Sequence, residues 1–256
     1  MTRRPLVAGN WKMHGSRAEN AALLDALLHG IQADMTAEML VCTPFVYLWE
    51  TYRALTATNI ALGAQSVCAE PVGAFTGEVS AAMLKDIGCR YVIVGHSERR
   101  AIYHEDDALV ARKFVAAQSQ GLIPILCVGE TLTERDANET FSIVNRQLRA
   151  VLEVSGAAAL ANAVIAYEPV WAIGTGKNAT AEQAQEVHGY IREVVRKAAS
   201  SSTDARIADG IRIIYGGSVK AANAAELFAM PDVDGGLVGG ASLKAEEFLK
   251  ICVAFP

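Results

Sequence analysis

Eight short apolar runs of β character recur along the chain with stretches of helical character between them, and few architectures can use such an alternation. The runs are Leu6 to Ala8, Met39 to Cys42, Ile60 to Ala64, Tyr91 to Val94, Ile123 to Val128, Val164 to Tyr167, Ile211 to Tyr215 and Gly236 to Val238. Leu23, Leu24, Leu27 and Leu28 form an apolar face at helical spacing, as do Ile143, Val144, Leu148, Val151 and Leu152; Leu109, Phe114 and Val115 do so less regularly. Ala181 to Ala199 and Ala221 to Phe228 are strong helix formers by composition, and Lys244 to Val253 supplies the eighth helix. Repeated eight times in 256 residues, the pattern predicts an α/β fold of the (β/α)8 class: eight parallel strands closed into a barrel and ringed by helices. The competing architecture is an open doubly wound sheet, but no G-x-G-x-x-G follows the first run. With 52% hydrophobic side chains the chain can bury one barrel-sized core, and nothing reads as a linker, so residues 1–256 are expected to form a single domain.

A net charge of −5 argues against a general nucleic-acid surface, which wants clustered Lys and Arg to neutralise phosphates. An anionic small molecule stays possible, because local donors can oppose the global sign. Leu6-Val-Ala8 is too short for a signal-peptide core, and no segment is long and apolar enough to span a bilayer. Cys42, Cys68, Cys89, Cys127 and Cys252 are odd in number and scattered, and read as reduced thiols of a cytoplasmic protein. The five histidines show no metal-ligand spacing.

In such a barrel, chemistry sits at the carboxyl ends of the strands. The first run ends in Asn10-Trp11-Lys12, the fourth in Gly95-His96-Ser97-Glu98, the sixth in Glu168, the seventh in Gly216-Gly217-Ser218 and the eighth in Gly239-Gly240. Asn162 to Tyr167 reads as a buried strand that delivers Glu168 to an opening, followed at once by Pro169 and a Gly174-Thr175-Gly176 loop: a base beside a lid, or else an ordinary solvated turn. His96 falls where a short helix would begin, and the positive end of that helix disfavours an added proton. A neutral imidazole donates from one ring nitrogen, which suits polarising a carbonyl; its plainer role is to satisfy a buried turn. Lys12 is the only lysine before residue 85. Glu98 is either solvated or paired with Lys12, and the sequence leaves both open. Backbone N–H groups of Gly174, Ser218, Gly239 and Gly240 would form a ring of donors with no side chains to obstruct a tetrahedral phosphate, and the loops after strands seven and eight are the usual phosphate site of such barrels.

Gly9-Asn-Trp-Lys-Met13, Gly95-His-Ser-Glu-Arg-Arg100, Ala166-Tyr-Glu-Pro-Val-Trp-Ala-Ile-Gly-Thr-Gly176 and Tyr215-Gly-Gly-Ser-Val219, in that order and spacing across the whole chain, resemble the triosephosphate isomerase family. The resemblance implies interconversion of dihydroxyacetone phosphate and D-glyceraldehyde 3-phosphate, a step of glycolysis and gluconeogenesis, with no cofactor and no metal. It implies Glu168 as the base that removes a proton beside the carbonyl, His96 and Lys12 as stabilisers of the enediol(ate) oxygens, and Asn10 as a further donor near Lys12. Pro169 to Gly176 would be the lid, with the Gly174 amide on the phosphate and the Tyr215 hydroxyl holding the closed loop. Cys127 would pack beside Glu168 rather than react. The long loop from Gly63 to Glu78, with Phe75 and Thr76 at its tip, would reach into a second subunit of a symmetric homodimer; Thr76 would support Asn10 and Lys12 there, and Glu78 is a candidate partner for Arg99. His14, Ser66, Cys68 and Asn178 depart from the family's pattern. Another phosphate-ligand-binding barrel, a lyase or synthase, would share the glycine turns but would not need Lys12, His96 and Glu168 together. A non-catalytic binding barrel would need neither base nor lid.

Overall fold

In the computed structural model, which describes residues 3–32, 35–174, 179–199 and 206–256, the eight runs pair into a closed barrel. The strands are β1 (Leu6–Asn10), β2 (Glu38–Thr43), β3 (Ile60–Ala64), β4 (Tyr91–Val94), β5 (Ile123–Val128), β6 (Val164–Tyr167), β7 (Arg212–Tyr215) and β8 (Gly235–Val238). Each is parallel to its sequence neighbours, and β8 returns to β1 with Leu6 opposite Gly235 and Gly9 opposite Val238. Parallel neighbours need a crossover, and helices supply it. In chain order these are α1 (Arg17–Gly30), α2 (Leu48–Leu55), α3 (Ala81–Asp86), α4 (Ser97–Ile102), α5 (Asp107–Ser119), α6 (Leu132–Asp136), α7 (Thr140–Ser155), α8 (Ala181–Ala199), α9 (Ile207–Gly210), α10 (Ala221–Phe228) and α11 (Ala245–Cys252).

Several boundaries differ from the sequence reading for local reasons. Ile211 closes α9 instead of opening β7, its N–H bonding back to the Ile207 carbonyl at 2.8 Å. Asn162 ends a 3₁₀ turn, and its carbonyl accepts from Gln118, so the sixth strand starts only at Val164. In α5 the face turned inward is Val110, Phe114 and Ala117, while Val115 is exposed. Helix starts are capped as the residue types allow: Ser16, Ser80, Asp106 and Thr131 each accept a backbone N–H of the first turn.

Strands covered on both faces sort their residues by parity into two cores. Leu6, Ala8, Leu40, Cys42, Tyr91, Ile93, Ile125, Cys127, Val164, Ala166, Ile214 and Leu237 fill the barrel. Val7, Met39, Val41, Val92, Val94, Leu126, Ile165 and Ile213 face the helices. The amino-terminal end of the barrel is stopped by a polar plug. Arg212 donates to Glu38 at 2.7 Å and to the Tyr91 hydroxyl at 2.9 Å, and that hydroxyl donates in turn to Glu38 at 2.9 Å. Arg90 adds a second guanidinium 3.1 Å from Glu38. Burial would raise the Glu38 carboxyl, but the hydrogen bonds and charge of Arg212 and Tyr91 outweigh it and hold it below the usual range. Beside this plug Arg192, itself buried, bonds Asp232, Asp234 and the carbonyls of Ala208 and Ile211.

Candidate active site

The inward rows, continued by two residues, decide what reaches the other end. Asn10 follows Ala8, Glu168 follows Ala166, Gly216 follows Ile214 and Gly239 follows Leu237. Asn10 is buried, and its Oδ1 accepts the Lys12 N–H at 3.1 Å. Gln65 donates to the carbonyls of Lys12, at 2.9 Å, and of Cys42, at 3.0 Å. Held from both sides, Lys12 takes φ 54°, a left-handed conformation that a lysine adopts only when its surroundings impose it. Its Nζ lies 2.6 Å from Glu98 Oε1, so the pairing that the sequence left open is made.

Glu168 is only 2% exposed. Its carboxylate accepts the Ser97 N–H at 2.9 Å and lies 3.0 Å from His96 Nε2. Burial would raise its pKa, yet the adjacent imidazole and the Ser97 N–H overcome that penalty and keep it below the usual carboxylate value, which leaves an ionised carboxylate in a nearly water-free wall. The wall is made by missing side chains. A Cβ on Gly216 would sit 2.8 Å from Glu168 Cγ, and one on Gly129 would overlap the Glu168 carbonyl. Cys127 is fully buried beside the same carboxylate; burial first, then the Glu168 charge, pushes its thiol well above the ordinary value, so it packs and stays protonated.

His96 is the N-cap of α4, and its Nδ1 accepts the Glu98 N–H at 3.2 Å. Burial disfavours the imidazolium, while the Glu168 and Glu98 carboxylates pull the proton affinity upward overall. The Nδ1 contact needs a lone pair, which fits a neutral ring with its proton on Nε2, toward Glu168.

Asn10, Lys12, His96 and Glu168 line one cavity of about 250 Å³, and Gly174, Ser218, Gly239 and Gly240 line the same cavity. Lys12 runs beside the last of these turns, its Cε passing 3.4 Å from where a Gly239 Cβ would be. The carboxyl end of the barrel therefore offers a carboxylate, an imidazole, an ammonium and a rim with little side-chain bulk. The family model described as Triosephosphate isomerase matches residues 5–255. The chain belongs to the triosephosphate isomerase family. Among curated relatives, the triosephosphate isomerase of Thiobacillus denitrificans is 61% identical over 252 residues, covering 98% of each chain. That of Nitrosococcus oceani is 58% identical, covering 98% of this chain and 99% of its own; that of Nitrosomonas eutropha is 57% identical over 254 residues, 99% of both. Membership in the triosephosphate isomerase family sets aside the lyase and synthase alternatives.

Phe75 and Thr76 do not approach the mouth within this chain. They sit in a stretch from Pro71 to Glu78 whose residues are all exposed. Arg99, considered above as a partner for Glu78, is held by Glu105 of its own chain at 2.6 Å. Thr175, Gly176, Lys177 and Asn178 lie outside the described residues. Sequence reasoning missed Ser97, Gln65 and Lys220, the last of which lines the cavity beside Ser218. It also missed the Glu130 anchor, where Tyr167, Trp171 and Arg135 converge on one fully buried carboxylate. Ser97 was readable, since a residue between His96 and Glu98 at a helix start must aim its N–H into the mouth. Among the described residues no cluster of three His, Cys, Asp or Glu is placed to hold a metal ion, and no helix is long and apolar enough to cross a membrane.

Proposed function

We propose that this barrel interconverts dihydroxyacetone phosphate and D-glyceraldehyde 3-phosphate by proton transfer through an enediol(ate). The observation that carries the reading is the juxtaposition of a buried Glu168, its carboxyl held below the usual range, with His96 Nε2, 3.0 Å away, on the wall of a cavity that Gly174, Gly239 and Gly240 also line. With substrate bound, Glu168 leaves Ser97 and His96 and takes the proton from the carbon next to the carbonyl, then returns it to the neighbouring carbon. His96 gives its Nε2 proton to the carbonyl oxygen and receives one from the other oxygen, while Lys12 and Asn10 face the charge that builds on those atoms. General base catalysis supplies about 10² to 10⁴ in rate; preorganised donors at the oxyanion supply the remainder. The scheme uses side chains and backbone donors alone, without a cofactor.

The amides of Gly174, Ser218, Gly239 and Gly240 take the phosphate. Pro169 to Gly176 acts as the lid, because an enediolate exposed to water, with its phosphate free to align with the π system, eliminates that phosphate. Gly174 couples closure to the non-reacting end of the substrate. Tyr215, buried below the loop's far end, holds the closed form through its hydroxyl. The exposed Pro71–Glu78 segment fits a homodimer contact, with the half-exposed Phe75 ring and Thr76 reaching a second copy's mouth; Thr76→Arg should lower the mass seen by sedimentation at low concentration. A cytoplasmic setting agrees with five buried, unpaired thiols.

A proton NMR time course of D-glyceraldehyde 3-phosphate in D₂O tests the chemistry. Dihydroxyacetone phosphate carrying deuterium beside the carbonyl should appear with the wild-type protein and be lost with Glu168→Gln. Equal turnover by the variant would remove Glu168 from the role of base.

A further inference from the structure

Three buried rings meet below the loop that follows Glu168. Tyr167 and His188 are 5.8 Å apart edge to face, and Tyr215 lies 6.4 Å from each. The Tyr167 hydroxyl is satisfied by Glu130. Two other polar atoms of the cluster, His188 Nε2 and the Tyr215 hydroxyl, are buried with no partner at hydrogen-bond distance.

Their needs are complementary. His188 Nδ1 lies 3.1 Å from the Asp232 carbonyl, which only accepts, so Nδ1 carries the ring proton and Nε2 holds a bare lone pair. Burial pushes this imidazole down to about 4, so the lone pair persists throughout neutral pH. The Tyr215 hydroxyl stands beside the Ala179 N–H at the far end of the loop, close enough for that N–H to draw its pKa down against burial. A phenol that comes to accept that N–H must still give its own proton to something, and the described cluster has one acceptor without a donor.

We propose that His188 is a positioning residue for lid closure: its Nε2 accepts the Tyr215 proton, directly or across one water, and so turns the phenol oxygen's lone pair toward Ala179. The proposal rests on the lid reading given above. It makes His188, on the helix that follows the lid, part of what selects the closed state, although it touches neither substrate nor the acid–base pair.

The test compares His188→Asn, His188→Gln, Tyr215→Phe and the double variant His188→Asn/Tyr215→Phe, by kcat/KM and by the fraction of turnovers that end in phosphate elimination. Asparagine keeps a side-chain donor for the Asp232 carbonyl but has no atom at the Nε2 position. Glutamine puts an acceptor there. His188→Asn should lower kcat/KM by about tenfold, a typical cost of one buried hydrogen bond, and raise the eliminated fraction. His188→Gln should recover most of both, and the His188→Asn effect should vanish once Tyr215 is phenylalanine. A His188→Asn defect that persists undiminished in that background, or no defect while Tyr215→Phe is impaired, overturns the role of His188 alone. An unaffected Tyr215→Phe overturns the latch itself. If His188→Asn does not fold, nitrogen NMR of the wild type decides: the Nε2 resonance should move toward that of a hydrogen-bonded acceptor when a phosphorylated enediolate analogue binds, and an unmoved resonance overturns the proposal.

Discussion

The two ends of this barrel use the same kinds of residue to opposite ends. At the amino-terminal plug, Glu38, Tyr91 and Arg212 satisfy one another within a closed triangle, and a second guanidinium stands by. At the carboxyl mouth, Glu168 is more deeply buried, yet its partners are an imidazole and a backbone N–H on the wall of an open cavity. Lys12 is held there in a left-handed backbone conformation, and the rim is glycine. A buried charge with full partners fixes a structure, whereas one with exchangeable partners holds a reactive group ready. Both rows arise from one parity rule, so what separates them is the company each charge keeps.

That contrast makes opposite demands on matched substitutions. Glu168→Gln should cost about 10² to 10⁴ in kcat. Its melting temperature should stay level or rise, because removing a functional buried charge relieves a site kept for chemistry. Arg212→Met should do the reverse. It leaves the buried Glu38 with only the Tyr91 hydroxyl and the more exposed Arg90, at a cost of roughly 3 kcal/mol in unfolding free energy, while kcat per folded molecule is retained. Parallel denaturant titrations and initial rates check both; a common loss of stability in the two variants would dissolve the distinction between the ends.

His188 stands between the two ends, with Nδ1 on the Asp232 carbonyl beside the Arg192 network and its ring packed with Tyr167 and Tyr215. Burial outweighs the Asp232 carbonyl and the Asp234 charge and brings its pKa to about 4, against 6.5 for the unfolded chain. Between those values the unfolded chain binds a proton that the folded chain refuses. Stability therefore falls as pH drops from about 6.5 toward about 4, by about 3 kcal/mol in all. Denaturant midpoints at pH 7 and pH 5 measure roughly half of this, and His188→Gln should flatten that slope. The depressed Glu38 carboxyl adds its own loss only as the pH falls below about 4.5.

How much of this was legible in the sequence follows from which interactions are local. The strands were readable because each is a contiguous apolar run, and Asn10, His96 and Glu168 because they stand at the ends of such runs. Their meeting was inferred from the barrel's geometry together with the family's motifs. Long-range partnerships left no such trace: Arg212 lies 174 residues from Glu38, and Arg192 bonds Asp232 40 residues away. Ile211 and Asn162 were misread because standing next to an apolar run does not say whether a residue ends a turn or opens a strand. Gln65 was hidden for a different reason, since its amide serves the backbone of another loop.

Glu98 gives the smallest effect and the sharpest test of where the mouth's rigidity comes from. Its bond to Lys12 is short, but the Glu98 side chain is 43% exposed and that of Lys12 25%, so solvent screens the pair. Such pairs contribute about 0.2 to 1 kcal/mol. The Lys12 backbone, by contrast, is fixed by the Asn10 side chain and by Gln65, neither of which depends on Glu98. Glu98→Gln should therefore change stability by less than about 1 kcal/mol. It should lower kcat/KM only a few-fold, with a deficit that shrinks as added salt screens the wild-type pair as well. Gln65→Ala, which frees two carbonyls beside the strained lysine, should cost more on both counts. If Glu98→Gln proved the worse of the two, the ammonium would be placed by its charge partner and not by its backbone, and the mouth would resemble the plug more closely than the hydrogen bonds suggest.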